Sequence, residues 1–362
     1  MSGAGLGDQS SRVVSVARGG APRGSAYPEG MARSPLTLAA LATAAVADLD
    51  VVSAAPHGSS GAGEHDAAVV TTSDGRSLIV RVPRHQRAEA KQSADLVALR
   101  ALSAGVRARL PFGVPVYQGQ APIGRTRGIV YDVVPGEHLR IRDVTLGSGL
   151  PTSIGRAVAA VHALPTSFVT DAGLPSRTPF EAMRQAASLV DRAAATKLLP
   201  AALLERWEAA IQNASLWQFQ PTVVNGDLEA SSLLVLDGAV SGVLGWHDLQ
   251  VGDPAADLAW LLGAAPAAAS EAFDAYASAR GQSDQQLRHR AELHRELDLA
   301  RWLLHGTATR DTHVVDDAVE MMTRLVDSLQ DDDRGAIGSG DTGALDAHDV
   351  EQLLTSTERR HG

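Results

Sequence analysis

The residues best placed to do chemistry lie between Pro221 and Leu262. Asp227 follows Gly226 and precedes two short apolar runs, Leu233 to Leu236 and Ala239 to Leu244, which flank Asp237-Gly238. Asp-Gly between such runs signals a tight hairpin, because both residues tolerate the left-handed backbone that the turn requires. Beyond the hairpin, Gly252-Asp253-Pro254 reads as a helix start, with Asp253 as N-cap and Pro254 at the first helical position. An acid on a turn before a hairpin, with a second polar loop just after it, is a layout that can gather side chains into a catalytic site. Asp227 is the centre of that layout; the plainer alternative is an aspartate that only caps a turn.

The stretch resembles the aminoglycoside and macrolide phosphotransferases, relatives of the protein kinases. Their pattern is His-Gly-Asp-Leu-x-x-x-Asn, a hairpin, Asp-Trp or Asp-Phe, and Gly-Asp-Pro-x-x-Asp-Leu-Ala. Gly226, Asp227, Leu228, Trp246, Gly252, Asp253, Pro254, Asp257, Leu258 and Ala259 match it in type and spacing. The resemblance implies a two-lobed, protein-kinase-like α+β fold, with a small sheet-based lobe over 31–134 and a mainly helical lobe over 135–330. It implies transfer of the γ-phosphate of ATP or GTP to a hydroxyl of a small molecule, with Asp227 as the base that orients this hydroxyl. Arg81 stands where the family carries a phosphate-pairing Lys or Arg, and it equally reads as a surface cation at a strand end. The helix acid expected to pair with Arg81 is Asp95, which has the better register than Glu89. Asp253 is expected to brace the catalytic loop as an N-cap, and Asp257, one turn on, to tie the same loop.

Three positions depart from the pattern: Asn225 stands for His, Ser232 for the metal-binding Asn, and Gly245 for the metal-binding Asp. Phosphoryl transfer is catalysed by positioning and by metal neutralisation of the phosphates, and magnesium prefers hard oxygen ligands. Ser232 offers the nucleotide site a neutral hydroxyl and Gly245 offers no side chain. Asp248 is the one nearby acid that could serve the metal instead. Two readings therefore stand side by side: a phosphotransferase, and a pseudokinase-like module that binds a nucleotide or metabolite without chemistry.

Composition narrows the partners. The 362 residues carry a formal charge of −10, which argues against nucleic acid or an anionic membrane as the main partner. Cysteine is absent, which excludes disulfides, thiolate metal sites and Cys nucleophiles and fits a cytoplasmic location. The run from Met31 to Ala47 imitates a signal peptide but reads as an Ala-rich helix with Ser34 as N-cap and Pro35 in its first turn.

The remaining elements position the candidate residues. Residues 1–30, rich in Gly, Ser, Arg and Pro, read as a disordered leader. Strands are expected at Val51 to Ala55, Ala67 to Thr72, Ser77 to Val82, Val114 to Gln118 and Gly128 to Val134, with a helix from Ala88 to Ser103. The loop from Pro56 to Asp66, with Gly58, Gly61 and Gly63, lies where the family's phosphate-covering loop would be. Helices are expected at Ser153 to Leu164, Thr178 to Leu199, Ala201 to Leu216, Pro254 to Gly263, Ala267 to Ala279, Asp284 to His305 and Asp311 to Gln330. His162 reads as a core histidine, and Glu292, Glu296 and Asp298, with Asp316, Asp317 and Glu320, as a solvated face or the wall of a pocket for a cation. Residues 331–362 read as a mostly disordered acidic tail, with a short helix from Leu345 to Arg359.

Overall fold

The computed structural model describes residues 32–58, 63–281, 284–331 and 337. The leader and the helix expected from Leu345 to Arg359 lie outside them. Strands β1 (Val51–Pro56), β2 (His65–Thr72), β3 (Ser77–Pro83), β4 (Tyr117–Ile123) and β5 (Thr126–Asp132) form one antiparallel sheet in the order β1-β2-β3-β5-β4. The period of two divides the sheet's faces. Ala68, Val70, Leu78, Val80 and Val82 point to one side, where α1 (Pro35–Ala45) buries Leu38, Leu41 and Ala42 against them. Burying Leu38 and Leu41 contributes roughly 3–6 kcal/mol. Ser34 Oγ caps α1 by accepting from Thr37 N at 3.2 Å, so the segment that imitates a signal peptide is an integral helix of the lobe. No helix among the described residues is long and apolar enough to cross a membrane. The other face of the sheet carries His65, Ala67, Ile79 and Arg81, beside α2 (Gln86–Ala101) and the short α3 (Ala104–Arg107).

One strand lies elsewhere than the apolar pattern suggests. Val114-Pro115-Val116 looks like strand, yet β4 starts at Tyr117. Pro115 has no N–H for a ladder, and the carbonyls of Val114 and Pro115 instead accept from Arg107 Nη1 at 3.0 and 2.9 Å.

The second lobe is mainly helical. A strand β6 (Glu137–His138) pairs with β8 (Leu233–Leu236) and β8 with β9 (Ala239–Val243), while β7 (Thr222–Val224) pairs with β10 (Gln250–Gly252). The hairpin turn places Asp237 at φ 52° and Gly238 at φ 77°, both left-handed, as the Asp-Gly signal requires. Helices α4 (Leu150–His162) and α8 (Pro266–Arg280) pack so closely at Gly155 that a side chain there would meet the backbone of Ala272. Around them lie α5 (Ser167–Asp171), α6 (Pro179–Ala195), α7 (Ala201–Gln212), α9 (Leu287–Thr309) and α10 (Thr312–Asp331). Helices α6, α7, α9 and α10 share a core around the fully buried Trp207, Leu293 and Leu297. Pro254–Gly263 winds as a 3-10 helix rather than an α-helix. The two-lobed, kinase-like α+β architecture implied by the motif order is the one observed.

Candidate active site

Strands β7 and β10 run side by side and hold two loops against each other: the turn at Asp227, which follows β7, and the loop after the hairpin, which leads into β10. The turn is fixed from below by Asp257, which is fully buried. Its carboxylate accepts from the backbone N–H of Asn225 at 2.6 Å and of Gly226 at 2.8 Å. His162 lies 3.2 Å from the same carboxylate through Nε2 and 2.9 Å from the Tyr276 hydroxyl through Nδ1, so it is a core group with both ring nitrogens engaged. Gly226 adopts φ 89°, and a side chain on it would collide with the Asp248 carbonyl, so the turn needs glycine. Asn225, buried where the pattern has His, joins the two loops: its Nδ2 donates to Gly245 O at 3.0 Å, and its Oδ1 accepts from Asp227 N at 3.3 Å.

Asp253 holds the next loop. It caps Pro254–Gly263 by accepting from Ala255 N at 3.0 Å and receives Arg290 Nε at 3.1 Å. His294 Nε2 stands 2.9 Å away. Burial alone would raise the Asp253 carboxyl, but the His294 contact and the Arg290 charge together bring it below the ordinary value. His289, by contrast, meets Gln286 through Nδ1.

Between the lobes opens a cleft of about 450 Å³ lined by Arg81, Asp95, Asp227 and Ser232, with Gly58, Gly63 and Gly245 also at its wall. Gly61 lies outside the described residues. Two pairs of residues more than 130 positions apart, Arg81 and Asp95 with Asp227 and Ser232, thus meet around one space. Asn225, Asp253 and Asp257 stand behind the cleft wall. Asp248 is also outside the lining, with its side chain 56% exposed.

The expected ion pair between Arg81 and Asp95 is absent. Asp95 Oδ1 accepts instead from Trp246 N at 2.7 Å, tying α2 to the loop after the hairpin, and Arg81 Nη2 meets His65 Nδ1 at 3.2 Å. Burial raises the Asp95 carboxyl, opposed by the Trp246 N–H and the Arg81 charge. His65 is pushed the other way, down to about 3, by burial and then by Arg81, His85 and Lys91. Two buried atoms in this wall, His65 Nε2 and Gln92 Oε1, have no hydrogen-bond partner among the described residues.

Motif reasoning missed Lys91, His65, His138 and His247, all of which line the cleft. His247 matters most. Its Nε2 lies 3.1 Å from Asp227 Oδ2 and 3.6 Å from Asp248 Oδ2, in ion-pair contact but aligned with neither as a hydrogen bond. The Asp227 carboxylate raises the imidazole above its ordinary value, against burial and with help from Asp248. The same contact lowers Asp227, against a partial desolvation of its carboxylate. A histidine two residues past the missing carboxylate was the available signal.

These residues do not fit the magnesium site of the family pattern. Ser232 offers one hydroxyl, and Gly245, at φ 68°, offers nothing. The acids that remain nearby, Asp227 and Asp248, converge on an imidazole, with donor atoms of all three within 4.8 Å of one another. A mixed set of one ring nitrogen and two carboxylates is not the oxygen cage magnesium prefers.

A larger cavity, about 740 Å³, lies among the C-lobe helices and contains none of the cleft residues. Glu292, Glu296 and Asp298 do line it, whereas Asp316, Asp317 and Glu320 do not. Arg206, Arg288, Arg295 and Arg324 line it too, and Glu296 is taken up by Arg206 at 3.0 Å and by Trp207 Nε1 at 2.9 Å. It is therefore not the acidic pocket for a cation that the sequence left open.

Comparison with known proteins agrees with this anatomy. Solved structures of similar fold include macrolide 2'-phosphotransferase MphH from Brachybacterium faecium, an apoenzyme, at 23% identity and TM-score 0.66, covering 79% of this chain and 97% of that one. A macrolide 2'-phosphotransferase type I matches at 24% identity and TM-score 0.64, covering 79% and 95%. The GDP and kanamycin complex of APH(2")-IIIa matches at 17% identity and TM-score 0.64, covering 80% and 98%. At such identities these structures show the fold alone. No curated protein sequence matches the chain. The family model described as "Phosphotransferase enzyme family" matches residues 59–294, a span from the glycine-bearing loop through the cleft to the brace on Asp253. Over that span, well beyond half its length, the chain belongs to the phosphotransferase enzyme family.

Proposed function

We propose that the protein transfers a phosphoryl group from ATP or GTP to a hydroxyl of a small molecule of the macrolide or aminoglycoside kind. The observation that carries this reading is the convergence of Arg81, Asp95, Asp227 and Ser232 on one interlobe cleft. In it Asp227 orients the attacking hydroxyl, Arg81 and Lys91 face the phosphates, and Asp95 fixes the loop that carries Gly245. Structures of similar fold that hold GDP, ADP, kanamycin, gentamicin and streptomycin support a nucleotide and a small polyhydroxylated acceptor. A nucleotide-dependent activity fits a cytoplasmic location.

The second reading, a module that binds nucleotide without transferring phosphate, is favoured by the substitutions at Ser232 and Gly245. One experiment separates the two: incubation with labelled ATP or GTP and a panel of macrolides and aminoglycosides, with Asp227→Ala alongside. Transfer that Asp227→Ala abolishes supports the enzyme, whereas nucleotide binding without transfer to any acceptor or to water supports the module.

A further inference from the structure

The turn at Asp227 and the loop after the hairpin bring three ligand-type side chains together. His247 Nε2 stands 3.1 Å from Asp227 Oδ2 and 3.6 Å from Asp248 Oδ2, and one donor atom from each of the three lies within 4.8 Å of the others. An ion about 2.0–2.2 Å from each donor, in a tetrahedral or octahedral array, would space neighbouring donors about 2.8–3.6 Å apart. Two of the three spacings already lie in that range. Both carboxylate side chains are 56% exposed, so either can turn to close the third. The ring nitrogen is different. Nε2 is shut off from solvent and has no hydrogen-bond partner among the described residues, although two acceptors stand beside it. Groups this close and not aligned on one another leave room for a common partner between them.

The two loops that carry these side chains are tied to each other. Asn225 spans them, donating to Gly245 O and accepting from Asp227 N. Asp95 holds Trp246 N, next to His247, at 2.7 Å, and Gly226 lets the Asp227 turn lie directly on the Asp248 carbonyl. Support of this kind behind the ligands is what keeps the geometry of a metal site. We propose that Asp227, His247 and Asp248 bind a divalent transition-metal ion, zinc in preference to manganese and both in preference to magnesium. Imidazole with carboxylate suits such ions, and the affinity order of nitrogen and oxygen sites places zinc above manganese. The two carboxylates carry the charge that a divalent ion neutralises, and they attract a doubly charged ion more strongly than the single proton that competes for Nε2. The site is distinct from the one in the family pattern: it is built on Asp227 and on the residues past position 245, and it uses neither Ser232 nor Gly245. Because Asp227 is also the residue read as orienting the attacking hydroxyl, a bound ion would govern how much of that carboxylate is free for it.

The test is calorimetric titration of zinc, manganese and magnesium chloride, each alone, into the full chain freed of metal by chelation, with Asp248→Asn and His247→Gln beside it. No nucleotide is present, so the result does not depend on the cleft being a nucleotide site. The expected result is a single zinc ion bound per chain, at least about tenfold more tightly than magnesium and with manganese between them. Each variant should lose at least about tenfold in zinc affinity, since removing a ligand costs no less than removing the support behind one. Zinc bound no more tightly than magnesium overturns the proposal. So does zinc binding that survives either variant, since the ion would then be held elsewhere among the 12 histidines of the chain. Asp248→Asn turns an exposed carboxylate into an amide of the same size, so it decides the matter if His247→Gln fails to fold. Cobalt(II) gives an independent readout: its visible absorption should change as ring nitrogen and carboxylate replace water, and a change that both variants leave intact would overturn the assignment.

Discussion

Rebuilding the missing metal ligands offers the most informative perturbation: Ser232→Asn combined with Gly245→Asp. At position 245 a new Cβ would meet nothing closer than 3.9 Å among the described residues. The cost comes from the backbone. Gly245 sits at φ 68°, a left-handed conformation that L-residues resist and that Asp resists less than most. A penalty of about 1 kcal/mol follows, which in a protein of 362 residues lowers Tm by about 1–2 °C. The gain appears only with magnesium. Groups merely behind a metal ligand change metal affinity 10–100-fold, so restoring two ligands should tighten magnesium nucleotide by at least about tenfold, or 1.4 kcal/mol. The new carboxylate will also lie near the His247 ring, whose value Asp227 already raises, so the gain should be clearer at alkaline than at neutral pH. Calorimetry with and without magnesium reads the affinity, and phosphate release from nucleotide reads turnover, which Asp227→Ala should abolish in the same background. A double variant that folds, binds nucleotide and shows no response to magnesium would refute the idea that these two positions alone separate this cleft from a metal-dependent one.

Two further outcomes are expected. Asp257→Ala strips the acceptor from two buried backbone N–H groups and from His162, at about 1–3 kcal/mol for each group left unsatisfied; denaturant unfolding should show a loss of at least about 3 kcal/mol, and a loss below 1 would show that the turn does not depend on it. His65 is held neutral, with a folded value of about 3 against 6.5 unfolded, so its contribution to stability is complete above about pH 6.5 and is lost as pH falls toward 3. Between pH 8 and pH 5 the unaltered protein should lose about 1 kcal/mol more than His65→Gln, after discounting for the partly exposed ring; equal losses would remove the effect.

Legibility in the sequence followed how local each determinant is. The hairpin at Asp237-Gly238 and the cap at Asp253 are decided within a few residues, and both were readable. Asp227 was readable because its loop has a fixed spacing to both. The strand expected at Val114 shifted to Tyr117 because a guanidinium seven residues upstream claims the carbonyls that the apolar pattern assigned to a sheet. Asp95 could be placed on its helix, but its partner could not: 151 positions separate it from Trp246, and the bond goes to a backbone N–H that leaves no mark in side-chain types. Lys91, His65 and His247 were hidden for a related reason. Their roles come from which face of a helix, strand or loop meets the cleft, and a single charged residue in sequence carries no such address.

The bond from Asp95 to the N–H of Trp246 has a consequence for how freely this cleft can change. The latch between the lobes grips the main chain, so it is indifferent to what side chain position 245 carries. A lineage can therefore lose the carboxylate there, or regain it, without unfastening one lobe from the other. The makeup of the cleft and the cohesion of the two lobes are separable traits, divided between adjacent residues, and the first can drift while the second is held.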